Sequence, residues 1–264
     1  MLFELSGKRK QFLRMVYAGL AILFAVSFVG FGIGSDAAGG IFDAIGLGSG
    51  DSSSDNPQFE DQIDEAEATL AEDPKNEAAL EDLVRVHYQA GNDALAVDET
   101  TQSISMTPEA ETEFSESTDA WETYIKVAKK PSEDVAAVVN QAYGVLLQFS
   151  EPQGLQSLAE DAVPAAGLVA ESSPGVGTYA TLAQYAYLAG DPKTGDEAAK
   201  QAAAEAEPSQ RKDLESQLAG VKKAAAELEK EIEKQAAKGT EGEAFTNPLE
   251  GAGSGSPVTP APAP

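Results

Sequence analysis

The chain has 264 residues, with 18 lysines and arginines against 44 aspartates and glutamates and a formal charge of −26. That balance argues against nucleic acid or anionic headgroups as partners, since either needs clustered cations. There is no cysteine, which excludes disulfides, thiolate metal sites and a cysteine-linked lipid.

The charge is unevenly placed. Lys8, Arg9, Lys10 and Arg14 open the chain, and Met15 to Gly34 then runs twenty residues without a charge. Twenty apolar residues at ~1.5 Å each cross a bilayer core of ~30 Å. The reading is a cytoplasmic basic segment at 1–14 and a transmembrane helix at 15–34, oriented by the positive-inside rule. A cleaved signal peptide is the alternative. Its apolar region usually runs only ~7–15 residues, and Ser35-Asp36-Ala37 is a poor cleavage site. Beyond residue 34 the chain carries 14 basic and 43 acidic residues, a charge of −29. Topology places this acidic part outside the cytoplasmic membrane.

Residues 35–56 read as a flexible linker, from Gly39-Gly40, Gly46, Gly48, Gly50 and Ser52-Ser53-Ser54. Residues 57–208 then read as helix after helix. Phe59, Ile63, Ala66 and Leu70 form one apolar stripe behind Asn56-Pro57, and Asp73-Pro74 ends it. Ala79, Leu80, Leu83, Val84 and His87 form the next, with Gly91-Asn92 expected to close it in left-handed geometry. Residues 92–106 read as a loop. Thr107-Pro108 caps a long helix reaching toward Pro131, with Phe114, Trp121, Tyr124 and Val127 among its apolar residues. Ser132 and Glu133 start another. Leu155, Leu158, Ala162 and Val163 belong to a helix that Pro164 is expected to kink or break. Gly175 to Ala189 is a further helix, closed by Gly190-Asp191-Pro192. No stretch has sustained alternation or β-branched enrichment, so the expected fold is all-α, built of antiparallel helix pairs.

Two segments share spacing and turn chemistry. Leu80-x-x-Leu83-Val84-x-x-His87-Tyr88-x-x-Gly91-Asn92 matches Tyr179-x-x-Leu182-Ala183-x-x-Ala186-Tyr187-x-x-Gly190-Asp191. A second-helix pattern follows in Ala120, Tyr124 and Val127 before Pro131, and in Ala203 before Pro208. On these residues the chain resembles the tetratricopeptide repeat family. The match is partial: Leu80 to Pro131 exceeds one unit and implies an insertion near 92–116, and Ala136 to Pro174 is a degenerate unit. Val84 stands where the family has glycine or alanine, which implies looser packing there. Together with Met1-Leu2-Phe3-Glu4-Leu5 and Phe31-Gly32-Ile33-Gly34, the arrangement resembles membrane-anchored tetratricopeptide proteins of the bacterial cell envelope. The resemblance implies an α-solenoid whose concave face binds a protein or peptide. Carried over by spacing, that face would be lined by Glu81, Arg85, Tyr88 and Gln89 in one pair and by Gln184, Tyr187 and Leu188 in another.

Leu214, Leu218, Val221, Ala225, Leu228 and Ile232 form a heptad stripe within 209–238. It reads as a helix capping the solenoid, with a coiled-coil homodimer as the alternative. Residues 239–264, rich in Gly, Ser, Pro and Ala, read as a disordered tail.

No catalytic constellation emerges. His87, the single histidine, falls on a buried helix face and reads as a core residue. There is no P-loop, no Gly-x-Gly-x-x-Gly opening a helix and no His-Glu-x-x-His. Asp61, Asp64, Glu65 and Glu67, and likewise Glu109, Glu111, Glu113 and Glu116, read as solvated helix faces rather than calcium ligands. The expectation is a non-enzymatic scaffold that holds no cofactor or metal. The alternatives are a chaperone-like accessory of secretion or envelope assembly, and a self-assembling spacer.

Overall fold

A computed structural model describes residues 57–98, 103–152 and 154–242. The basic segment, the expected membrane span, the linker and nearly all of the tail lie outside the described residues. The described residues form α1 (Pro57–Glu72), α2 (Glu77–Asp93), β1 (Ala96–Asp98), β2 (Ser103–Ser105), α3 (Pro108–Val127), α4 (Glu133–Phe149), α5 (Leu155–Ser172), α6 (Val176–Leu188), α7 (Pro192–Glu205) and α8 (Pro208–Gly242). None of these helices is long and apolar enough to cross a membrane.

Local chemistry sets the helix starts. Asn76 caps α2 by accepting from the Ala79 amide at 3.0 Å. Thr107 Oγ1 accepts from the Ala110 amide at 3.0 Å to cap α3, and Pro108 occupies the first turn. The same hydroxyl donates to the Ala94 carbonyl at 2.8 Å, tying the start of α3 to the end of α2. Ser132 caps α4, and Asp191 caps α7 through the amides of Lys193 and Thr194. Each such cap is worth about 1 kcal/mol. The α6–α7 turn is a Schellman motif. Gly190 has φ 77°, its amide donates to Tyr187 O, and the Asp191 amide donates to Ala186 O at 2.8 Å.

The helices stack in sequence as antiparallel pairs, α2 with α3, α4 with α5 and α6 with α7, while α1 covers α2 and α8 covers α6 and α7. Three side-chain bonds fix the register of α2 against α3. Tyr124 donates to Glu81 at 2.7 Å, Ser117 donates to the Val84 carbonyl at 2.8 Å, and His87 meets Glu113 at 2.8 Å. The first helices of successive pairs also touch. Tyr88 of α2 donates to Gln141 of α4, and Tyr185 of α6 donates to the Asn140 carbonyl of α4 at 3.4 Å. One core runs the length of the stack and includes Trp121, Tyr124 and Tyr143. A second gathers Tyr88, Leu95, Phe114, Val145 and Leu146 beneath Ile104 and Met106. Helix α6 is apolar almost all round because α5, α7 and α8 all pack on it.

Several expectations need correcting. Residues 92–106 are not all loop: β1 and β2 pair antiparallel, with Val97 opposite Ile104. The strands are three residues long, too short for alternation to register. Gly91 does not end α2 in left-handed geometry. It lies within the helix, where a Cβ would come 2.9 Å from the Phe114 ring, so the glycine admits α3. Packing at Val84 is not loose either. Val84 is fully buried, and the small residue the approach requires is supplied from α3 by Ser117. Pro164 does not break α5, which runs through it. The proline faces solvent, while Ala159, Ala162, Ala165 and Ala166 on the opposite side are buried and hold the helix against its neighbours. Helix α8 continues to Gly242, past the point where the tail was expected to begin.

Candidate protein-interaction surface

The seven residues expected on a concave face divide into two groups. On α2, Glu81 and Arg85 are half-buried and Gln89 is exposed. Glu81 is already engaged: it accepts from Tyr124, whose oxygen in turn accepts from the Ser132 amide at 2.8 Å. This chain of bonds ties α2 and α3 to the start of α4. Burial and the neighbouring carboxylate push the Tyr124 hydroxyl up to about 12. Tyr88 is buried. Its ring meets Phe114 at 6.0 Å and its hydroxyl reaches Gln141 at 2.8 Å, and burial raises its pKa.

On α6, Gln184, Tyr187 and Leu188 are only 3%, 6% and 5% exposed. They are packing residues and offer little contact surface. Tyr187 lies between Gly195 of α7 and Lys222 of α8, whose ammonium sits 5.7 Å from the ring centroid. Its hydroxyl donates to Asp196 at 2.9 Å, and burial together with that carboxylate raises its pKa. Lys222 donates to both Asp196 oxygens at 2.7 Å. These bonds, with that from Tyr187, hold the Asp196 carboxyl below the usual range. The surface expected on α6 is thus occupied by the protein's own helices, and Arg85 and Gln89 of α2 remain outermost.

The heptad stripe of α8 is occupied in the same way. Leu214, Leu218, Val221, Ala225 and Leu228 are all buried against the preceding helices. A stripe spent within one chain gives no support to a dimer seam.

A different opening was not singled out from the sequence. Helices α1, α2 and α3 enclose a groove of about 290 Å³, bounded at one end by Pro74. Leu70, Leu80 and Leu83 line it, Leu80 and Leu83 only 3% and 8% exposed, and the exposed Glu67, Glu116 and Asp119 stand around it. His87 lies in its wall, 7% exposed, with Nδ1 bound to Glu113. The pairing of Glu81 with Tyr124, Val84 with Ser117 and His87 with Glu113 places Thr123 near Leu80 and Glu116 near His87. Glu67 and Glu116 belong to the acidic clusters read as solvated helix faces. The available signal was that both clusters flank the same apolar stripe of α2.

Among the described residues no group of three or more His, Asp or Glu side chains is placed to hold a metal ion. Tyr143 is fully buried with its hydroxyl unpartnered. Burial raises its pKa first, with Glu122, Asp161 and Asp119 adding to the effect. Burial and the nearby Glu160 and Asp119 also hold Asp161 above the ordinary carboxylate value, against the opposing effect of Lys126. No protein-family model, no curated protein and no solved structure matches this chain, which stands as a helical domain of stacked antiparallel pairs.

Proposed function

We propose that this chain is a non-enzymatic scaffold, anchored by the 15–34 segment and presenting a tetratricopeptide-like solenoid outside the cytoplasmic membrane to a protein or peptide partner. The observation that carries the reading is the sequential stacking of α2–α3, α4–α5 and α6–α7, with the first helices meeting one another through Tyr88–Gln141 and Tyr185–Asn140. Stacked pairs of this kind leave extended faces and grooves between helices, the surfaces on which such folds bind partners. The repeated spacing at Leu80–Tyr88 and Tyr179–Tyr187, each on the first helix of a pair, favours the tetratricopeptide assignment. The basic residues before an uncharged stretch of twenty support the topology.

The cysteine-free sequence permits a direct test. Single cysteines at Gly7 and Gln89 in intact cells would be exposed to a membrane-impermeant maleimide. Labelling at 89 but not at 7 is expected; the reverse overturns the topology. Photo-crosslinking from Arg85 and Gln89 in the same cells, with Glu229 as control, tests the scaffold itself. Capture of a defined protein from α2 and not from residue 229 is expected, and no capture above control overturns it.

A further inference from the structure

We infer that the apolar segment 41–47 of this chain docks on its own helical stack, on a hydrophobic patch formed around Val97 and Phe149. These are the two large apolar residues left exposed among the described residues, at 43% and 37%. They belong to one patch. Ala142, Val145, Leu146 and Phe149 fall at i, i+3, i+4 and i+7 of α4, which is one helix face. The first three are buried in the second core with Ile104 and Met106 packed against it, and Phe149 carries the same face beyond that cover. Val97 stands directly opposite Ile104 in the ribbon, so the two side chains share a face, about 5 Å apart.

The occupant follows from where the chain enters. Helices α1 and α2 are joined by the short turn 73–76 and run antiparallel, as do α3 and α4 across 128–132. The start of α1 at Pro57, the ribbon that follows α2 and Phe149 at the end of α4 therefore lie at one end of the stack. Upstream, Ile41, Phe42, Ile45 and Leu47 are the large apolar residues between Gly34 and Pro57, and Asp43 is the single charge within 37–50. Ten residues separate Leu47 from Pro57, a reach of up to ~35 Å. Passing from α1 over α2 to α4 takes about two interaxial steps of ~10 Å. A tether this short holds the segment at an effective concentration on the order of millimolar. A second copy or an anionic bilayer would have to approach against the charge of −29 carried beyond residue 34, whereas the tethered segment is already at the patch. Docking removes both apolar sets from water in one step. The inference goes beyond the scaffold reading and does not depend on it. Where 15–34 is anchored, docking leaves only the seven residues from Gly34 to Ile41 between the membrane and the stack, at most ~25 Å, and so turns the ribbon end toward the bilayer.

The test uses the full-length chain at one copy per nanodisc of zwitterionic lipid. The chain has no cysteine, so pairs can be introduced without background. A44C is combined either with S105C, on β2 beside the patch, or with A68C, an exposed site on α1 about 16 Å from Pro57. Disulfide formation in a glutathione buffer reads the effective concentration of the segment at each site. The A44C/S105C pair should exceed the A44C/A68C pair by about tenfold or more. Adding I41S/F42S/I45S/L47S, or separately V97S/F149S, should bring the two pairs within about twofold of each other. The first set lies outside the described residues and the second replaces exposed side chains, and circular dichroism checks that the stack stays folded. Equal yields at the two sites in the parent, or a preference that survives either set of changes, overturns the docking. A preference seen only with two copies per disc assigns the patch to a second copy. Quenching of a bimane on the S105C variant by brominated lipid, with no disulfide preference, assigns it to the bilayer. Both overturn the proposal. Crosslinking from Gln89 in cells reads the scaffold separately, so either reading can fail while the other stands.

Discussion

Tyr187 packs its ring so closely on Gly195 that a methyl group on that glycine would collide with two ring carbons. The first pair makes the same kind of contact with the roles exchanged, Gly91 on the first helix receiving Phe114 from the second. These two pairs thus each close around one aromatic and one glycine. Gly195→Ala is expected to destabilise by about 1–3 kcal/mol through overpacking. At a site with nothing within 4 Å, Gly220→Ala should instead stabilise by about 0.5–1 kcal/mol by reducing backbone freedom in the unfolded chain. Thermal unfolding of the two variants should therefore shift in opposite directions.

The bond from Ser117 to the Val84 carbonyl is a test of how tightly α2 and α3 approach. Ser117→Ala loses one hydrogen bond and should cost about 0.5–1.5 kcal/mol. Ser117→Val adds bulk at a fully buried site and should cost more, about 1–3 kcal/mol. Urea denaturation that ranks valine as the milder change would mean the pair is looser than this bond implies.

Acid unfolding should separate two kinds of aspartate. Asp191, through Thr194 and the backbone amides, and Asp196, through Lys222 and Tyr187, have carboxyls held below the ordinary value. Their contribution is fully present above the unfolded-state value near 3.9 and is lost as pH falls through the lower folded value. Asp161 is shifted the other way, so its ionisation works against folding once pH exceeds the unfolded-state value. Asp196→Asn should lower the denaturation midpoint at pH 7 and narrow its gap to the parent at pH 3. Asp161→Asn should raise the midpoint at pH 7 and leave it unchanged at pH 3.

Leu218 lies 2% exposed within the stripe that α8 lays on the stack. Leu218→Ala should cost about 2–5 kcal/mol. Because the contact is within one chain, the mass measured by sedimentation in detergent should not change. A fall in mass with little loss of stability would mean that the stripe faces a second copy.

Much of the architecture could be read because its determinants are local. Thr107-Pro108, Ser132-Glu133 and Gly190-Asp191-Pro192 carry their own capping chemistry, and the helices begin or end there. Gly91 was misjudged because glycine serves two purposes, left-handed turns and close approach, and only the position of Phe114 shows which applies. Tyr187 and Leu188 have the spacing of groove residues, but the same spacing serves packing, and α7 and α8 determine the outcome. The groove was not legible because its walls come from three helices whose register is set by bonds between Glu81 and Tyr124, Val84 and Ser117, and His87 and Glu113. No periodicity within one helix encodes that register.

Helix α1 is attached to the stack mainly through one neighbour. Among its described side chains only Ala66 is buried, Phe59, Ile63 and Leu70 are half-covered, and it packs mainly on α2. The chain enters this domain at Pro57, so a pull transmitted from the N-terminal side loads α1 before any other helix. Peeling α1 away removes Glu67 and Leu70, one whole wall of the groove, while α2 through α8 keep their mutual contacts. The lifetime of the groove is therefore set by how firmly α1 packs on α2.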